Sequence, residues 1–237
     1  MKRTLPALPA LLFLFACVLP AVAPAQDQTQ DQTQDQGGSG PAAATVVKVS
    51  PQARIFRAGG QGSPLHEGDA VQVGDRVATD AHGRLTLVLS DGSEVAMMNN
   101  SDFTVKALGQ GGAGGGLLHL LKGIVQGAVH KLNGQRFEIE TATGVTAVKG
   151  TEYQVEAADG HTELKVLSGH VELRDAAGKS AVLVGPGQAA LSYPDRVGAL
   201  RTMNRDEVQA LRDSFLARVR QAQGDYLKRV RAIQGGN

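Results

Sequence analysis

Between Thr45 and Tyr193 the apolar residues fall mostly on every second position, as in Arg84-Leu85-Thr86-Leu87-Val88-Leu89 and Tyr153-Gln154-Val155-Glu156-Ala157. Successive side chains of an extended chain point to opposite faces, so a period of two marks strands buried on one side. Asp91-Gly92, Asn133-Gly134 and Asp159-Gly160 sit between such runs and supply the positive-φ residues that two-residue hairpin turns require. Gly150, Gly160, Gly169, Gly178 and Gly187 are spaced by 10, 9, 9 and 9 residues, the cadence of short strands and tight turns. The expected fold class is all-β, with short antiparallel strands in a sandwich or a solenoid-like β-fold. Alternation and turn spacing are common to both.

After Pro194 the period changes. Val208, Leu211, Phe215, Val219, Ala222, Tyr226, Val230 and Ile233 recur at steps of 3, 4, 4, 3, 4, 4 and 3, which is one face of a long amphipathic helix. Asn204 is placed to cap its start, and Glu207 three residues later completes a capping box. The phrases Phe215-Leu216-Ala217-Arg218-Val219-Arg220 and Tyr226-Leu227-Lys228-Arg229-Val230-Arg231 repeat after 11 residues, so the apolar stripe stays nearly straight. Gly224 lowers the helix's intrinsic stability, which makes packing necessary. Arg218, Arg220, Lys228, Arg229 and Arg231 read first as a solvated face near the negative pole of the helix dipole. Binding to a membrane surface or a polyanion is the second reading.

Composition narrows the function classes. With 24 basic and 23 acidic residues the chain has no general basic footprint, and nucleic acid is not expected as a partner. Aromatic residues make up 4% and Trp is absent, so stacking platforms are scarce. At the start, Lys2 and Arg3 precede an uncharged stretch from Leu5 to Ala25 that ends in Ala23-Pro24-Ala25, the pattern of a secretory signal. Pro6, Pro9, Pro20 and Pro24 argue against the alternative of an uncleaved membrane helix. Either way, everything after residue 25 is expected outside the cytoplasm: periplasmic, secreted or envelope-associated. Cys17 lies in this leader; Leu14-Phe15-Ala16-Cys17 loosely resembles a lipoprotein box that the bulky Phe15 fits poorly. Removing the leader leaves no thiol.

The expected organisation is a signal peptide over 1–25, a disordered polar linker over 26–44, a β domain over 45–193 and a C-terminal amphipathic helix over 194–237. The linker carries the Asp/Gln/Thr repeat and Gly37-Gly38-Ser39-Gly40-Pro41, which have nothing to bury.

From Gly68 to Gln188 the chain resembles a FecR-type domain. The resemblance rests on the doubled phrase Gly68-Asp69 and Gly74-Asp75, the strand Arg84 to Leu89, the turn Asp91-Gly92-Ser93, and a second half. That half holds Phe137-Glu138-Ile139-Glu140-Thr141, then Val148-Lys149-Gly150-Thr151-Glu152-Tyr153, then Leu164 to Val171, and closes at Gly185-Pro186-Gly187-Gln188. Gly150 is read as a turn and Thr151 as the start of the next strand. The resemblance implies an extracytoplasmic domain of the kind that relays a receptor signal to a sigma factor. Only Met1 to Thr4 precede the leader's apolar stretch, so a stand-alone form without the cytoplasmic anti-sigma segment is expected.

No motif compels catalysis. Gly109-Gln110-Gly111-Gly112-Ala113-Gly114 matches a dinucleotide fingerprint formally, but the helix such a site needs does not follow, and a connection between two β halves is the better reading. His66, His82, His119, His130, His161 and His170 show no metal-ligand spacing; only His161 and His170, flanking one predicted hairpin, are placed to approach each other. Asp69, Asp75, Asp91 and Glu94 fall in or beside turns, where a short carboxylate bonds its own backbone. Phe56, Phe103, Phe137, Tyr153 and Tyr193 are the candidates for a carbohydrate platform, with core packing the simpler role for most. No catalytic, cofactor-binding or metal residue is assigned, no cofactor is expected, and the binding residues stay open. The expected function is a non-catalytic binding or scaffolding module acting through protein–protein contact in the envelope, with self-association or membrane contact through the helix. The alternatives are an accessory in envelope signalling and a cell-wall carbohydrate-binding domain.

Overall fold

The computed structural model describes residues 44–58, 60–89, 92–107, 116–128 and 137–234. The leader with Cys17, the linker up to residue 43, Asp91, the Gly109–Gly114 run, His130 and the Asn133-Gly134 turn lie outside the described residues, while Ala44, expected as the linker's last residue, is already in a strand.

In chain order the strands are β1 (Ala44–Val49), β2 (Ala53–Phe56), β3 (Ser63–Pro64), β4 (Ala70–Val71), β5 (Arg76–Thr79), β6 (Leu85–Leu89), β7 (Glu94–Met97), β8 (Asp102–Ala107) and β9 (Leu117–Ala128). There follow β10 (Phe137–Glu140), β11 (Gly144–Val148), β12 (Glu152–Ala158), β13 (His161–Ser168), β14 (Val171–Asp175), β15 (Ala181–Val184), β16 (Gln188–Tyr193), β17 (Arg196–Val197) and β18 (Arg201–Thr202). One helix, α1 (Arg205–Gln234), closes the chain. Among the described residues the fold is all-β with a single C-terminal helix.

The strands form two sheets that share β9. One sheet runs β4-β1-β6-β7-β9-β12-β13-β16, with β17 and β18 on β16. The other runs β3-β2-β5-β8-β9-β10-β11-β14-β15. Every pairing is antiparallel except β9 with β10. Alternation explains the packing: Leu85, Leu87, Val125, Val155 and Leu164 of the first sheet and Ile55, Val77, Phe103, Leu118 and Leu173 of the second all belong to one buried core. A two-sheet body over a common core is a sandwich, although the chain passes repeatedly from sheet to sheet as a stacked fold would.

Strand β9 makes the crossing between sheets. Its residues from Leu117 to Lys122 pair with β8, and those from Gly123 to Ala128 pair with β12. The pivot is Gly123, with φ of 93°; a Cβ there would lie 2.2 Å from Ser101 Oγ, so only glycine fits. Ser101 Oγ accepts the Ile124 N–H at 2.9 Å and donates to Asn99 O at 3.1 Å, fixing the bend.

The expected turn chemistry is present. Gly68 and Gly74 have φ of 94° and 96°, Asp69 Oδ2 accepts the His66 N–H at 2.7 Å, and Asp75 Oδ2 accepts the Gln72 N–H at 2.8 Å. The same turn is therefore built twice, six residues apart. All five glycines of the 9–10 residue cadence have positive φ. Gly150 turns as expected, while the strand expected to start at Thr151 begins one residue later at Glu152; Thr151 packs instead against Gly169, where a Cβ would meet its Cγ2 at 2.3 Å.

The helix starts later than the 194–237 division supposed. Two short strands, β17 and β18, occupy the interval, because β16 still offers an edge to pair with. The helix start itself is the expected capping box: Glu207 N–H donates to Asn204 Oδ1 at 2.9 Å and Asn204 N–H to Glu207 Oε2 at 3.0 Å.

Candidate functional site

The outer face of the first sheet, beneath α1, gathers a row of polar and charged side chains. Strand registers align Lys48, Thr86, Ala96, Gln126, Gln154, Lys165, Ala189 and Arg201 in one cross-strand row. Helix α1 is anchored at the Arg201 end. Arg201 bonds Glu207 at 2.8 and 2.9 Å and Glu163 at 2.6 Å, while Lys165 pairs with Glu163 at 2.8 Å. Arg201 hydrogen bonds hold the Glu207 carboxyl well down, to about 2. Burial alone would raise the Glu163 carboxyl, but its bonds to Lys165 and Arg201 leave it below its ordinary value.

Along the helix, Leu211 and Phe215 are buried against Ala189 and Met203, with Leu167 and Val208 at the margin. Ser214 Oγ then donates to Gln126 Oε1 at 3.1 Å, and Gln126 Nε2 to Gln154 Oε1 at 2.8 Å. Gln126 is 2% exposed, so this polar pair is sealed under the helix with its bonds made. Arg218 lies one turn further. Its guanidinium stacks over the Phe215 ring at 4.5 Å and approaches Glu94 Oε1 at 3.6 Å.

Two hollows flank this contact. One, of about 560 Å³, lies toward β1 and β6 and is walled by Lys48, Arg84, Thr86, Met98 and Arg218. The other, of about 320 Å³, lies toward Gln154, Lys165 and Glu207.

Arg218 corrects the expectation of a wholly solvated basic face: its side chain is 16% exposed, and burial lowers its pKa from the ordinary value. The signal was in the sequence, since Leu211, Phe215 and Arg218 are spaced i, i+4, i+7 and share the docking stripe. Arg220 is exposed as expected.

The histidine pair does not form. His161 opens β13 and His170 follows its far end, roughly 25 Å away along an extended strand. His66, His82 and His170 are exposed, and among the described residues no group of three or more His, Cys, Asp or Glu is placed to hold a metal. Asp69 and Asp75 are engaged in turns, and Glu94 faces Arg218. The segment after the glycine run is β9, antiparallel to β8, so the βαβ unit of a dinucleotide site is not formed. Of the aromatic candidates, Phe103, Phe137 and Tyr153 are core residues. Arg76 lies 4.8 Å over the Phe56 ring and Arg196 4.5 Å over that of Tyr193, so both remaining platforms are covered. Among the described residues no helix is long and apolar enough to cross a membrane.

A two-sheet β body with one docked helix and its polar chemistry under that helix is the class the geometry defines. Residues 75–172 match the profile of the FecR family, described as FecR protein, and over that span the chain is similar to a FecR domain. The match takes in Gly150-Thr151 and the strands from β5 to β13; the Gly68-Asp69 and Gly185–Gln188 phrases lie outside it. No curated protein matches the chain. Two crystal structures of a candidate anti-sigma factor from Parabacteroides distasonis ATCC 8503, at 1.65 and 2.50 Å resolution, are similar with a TM-score of 0.49 and 16% identity. Each similarity covers 57% of this chain and 63% or 62% of the other, so the chain spans less than two thirds of their length.

Proposed function

We propose that this chain is a non-catalytic binding module of FecR type that acts by protein–protein contact in envelope signalling regulation. The observation that carries this reading is the FecR match across residues 75–172. The polar face under α1 supports it, because a helix held by caps and ion pairs leaves shaped hollows beside a rigid sheet. The basic start and the apolar stretch that follows support a place outside the cytoplasm.

Two measurements test the proposal. A C-terminal alkaline phosphatase fusion is expected to be active, and activity only with a cytosolic reporter would overturn the location. Residues 26–237, immobilised and exposed to envelope extract, are expected to retain a receptor or sensor protein near one to one. Retention of cell-wall polymer in place of protein would favour the carbohydrate-binding alternative instead.

A further inference from the structure

The larger hollow beside α1 is cationic at its wall and incompletely satisfied within. Arg218 Nε and Nη1 are buried and have no hydrogen-bond partner among the described residues. Glu94 Oε1, at 3.6 Å, balances part of the charge but is beyond hydrogen-bond reach. A buried N–H left without an acceptor costs about 1–3 kcal/mol, more for a charged group, so a small shift of the Arg218 side chain toward an acceptor entering the hollow would recover part of that cost. Arg84, exposed and without an ion pair among the described residues, adds a second cation to the same wall. Lys48 is a third, shared with Glu67 at 3.8 Å. The apolar part of the wall includes the partly exposed Met98, whose flexible thioether adapts to varied side chains.

We propose that this hollow binds a carboxylate of an acidic and apolar peptide segment from a partner protein, with Arg218 and Arg84 taking the charge and Met98 taking the neighbouring apolar side chain. The inference rests on the interaction role above and names where and what that role recognises. A peptide suits the site better than a phosphate polymer. Glu94 and Glu67 stand beside the cations and repel the unbroken run of negative charge on a phosphate polymer more than a carboxylate flanked by apolar side chains. Among the described residues no aromatic side chain lines the hollow to stack a sugar or base. The volume of about 560 Å³ accommodates a few side chains, the scale of a short linear segment.

The test uses residues 26–237 and fluorescence anisotropy with a labelled peptide of alternating Asp and Leu. Binding is expected to weaken with salt, because the contacts include partly exposed charges. Arg84→Glu and Arg218→Gln are each expected to weaken it about tenfold or more, whereas Arg220→Glu, on an exposed part of the helix, changes it less than about twofold. If circular dichroism shows that Arg218→Gln loosens the helix, Arg84→Glu decides alone, since an exposed side chain is not needed for folding. The proposal is overturned by absent peptide binding, by equal losses in Arg84→Glu and Arg220→Glu, or by inorganic polyphosphate binding more tightly than the peptide. A partner still captured from extract while the peptide fails would leave the interaction role standing and remove only this site.

Discussion

Two neighbouring rows of one sheet, a single residue apart along each strand, solve opposite problems. The inner row, Leu85, Met97, Val125, Val155, Leu164 and Ala190, is in register across six strands and at most 1% exposed. The outer row, from Lys48 through Gln126 and Lys165 to Arg201, mixes small, amide and charged side chains, and the helix covers its middle around Gln126. Inside, stability comes from area removed from water and needs no direction. Outside, the helix is held by few apolar contacts and by polar bonds that require geometry. The difference gives the first row to the fold and makes the second the row on which the proposed interaction would act, because a surface held by specific bonds is also one a partner can rearrange.

Leu164→Ala gives the largest effect. Removing a fully buried Leu costs about 2–5 kcal/mol, and the loss should fall on the whole β body, with sheet and helix signals shifting together in urea unfolding. A shift confined to the helical signal would break the division between rows.

Phe215→Ala follows. Phe215 is 7% exposed and anchors the helix together with Leu211, and it also carries the Arg218 guanidinium. At the edge of a small cluster the neighbours can relax, so about 2 kcal/mol is expected, below the usual cost for a core Phe. Hydrogen exchange should show α1 amides opening while β12 and β13 keep their protection. Equal loss of protection in both would make the helix part of the core.

These contrasts also show what could be read in advance. Period-two alternation exposed both rows, since Val155 and Leu164 alternate with Gln154 and Lys165 in the sequence itself. The turns were equally legible because positive φ is a property of one residue: Gly68, Gly74 and Gly160 all bend as their dipeptides require. The capping box was legible because Asn204 and Glu207 interact within one turn. Sheet order was not, because pairing of β1 with β6, or β9 parallel to β10, joins segments through contacts no local pattern encodes. The same limit hid the candidate site: Glu94 meets Arg218, and Ser214 meets Gln126, only after the sheet has formed. The hoped-for meeting of His161 and His170 failed for the converse reason, since extended structure keeps near neighbours in sequence apart.

The smallest effect expected concerns acid. In the folded chain the Glu207 carboxyl is held at about 2, against 4.5 for the free group, first by its bonds to Arg201 and then by the Asn204 N–H. A carboxyl whose folded pKa is depressed contributes stability that is full above 4.5 and is lost as the pH falls from 4.5 toward about 2. Because the side chain stays 27% exposed, water screens the pair and the contribution at neutral pH is about 1 kcal/mol. Acidification should therefore reduce the helical circular dichroism before the β signal, and Glu207→Gln should flatten the wild-type response between pH 4.5 and 2. Asn204→Ser, which keeps a capping oxygen, should retain most of that response because the Arg201 bonds persist, whereas Arg201→Gln should abolish most of it. An unchanged acid response in Arg201→Gln would mean that the cap, and not the ion pair to β18, fixes the start of the helix on the outer row.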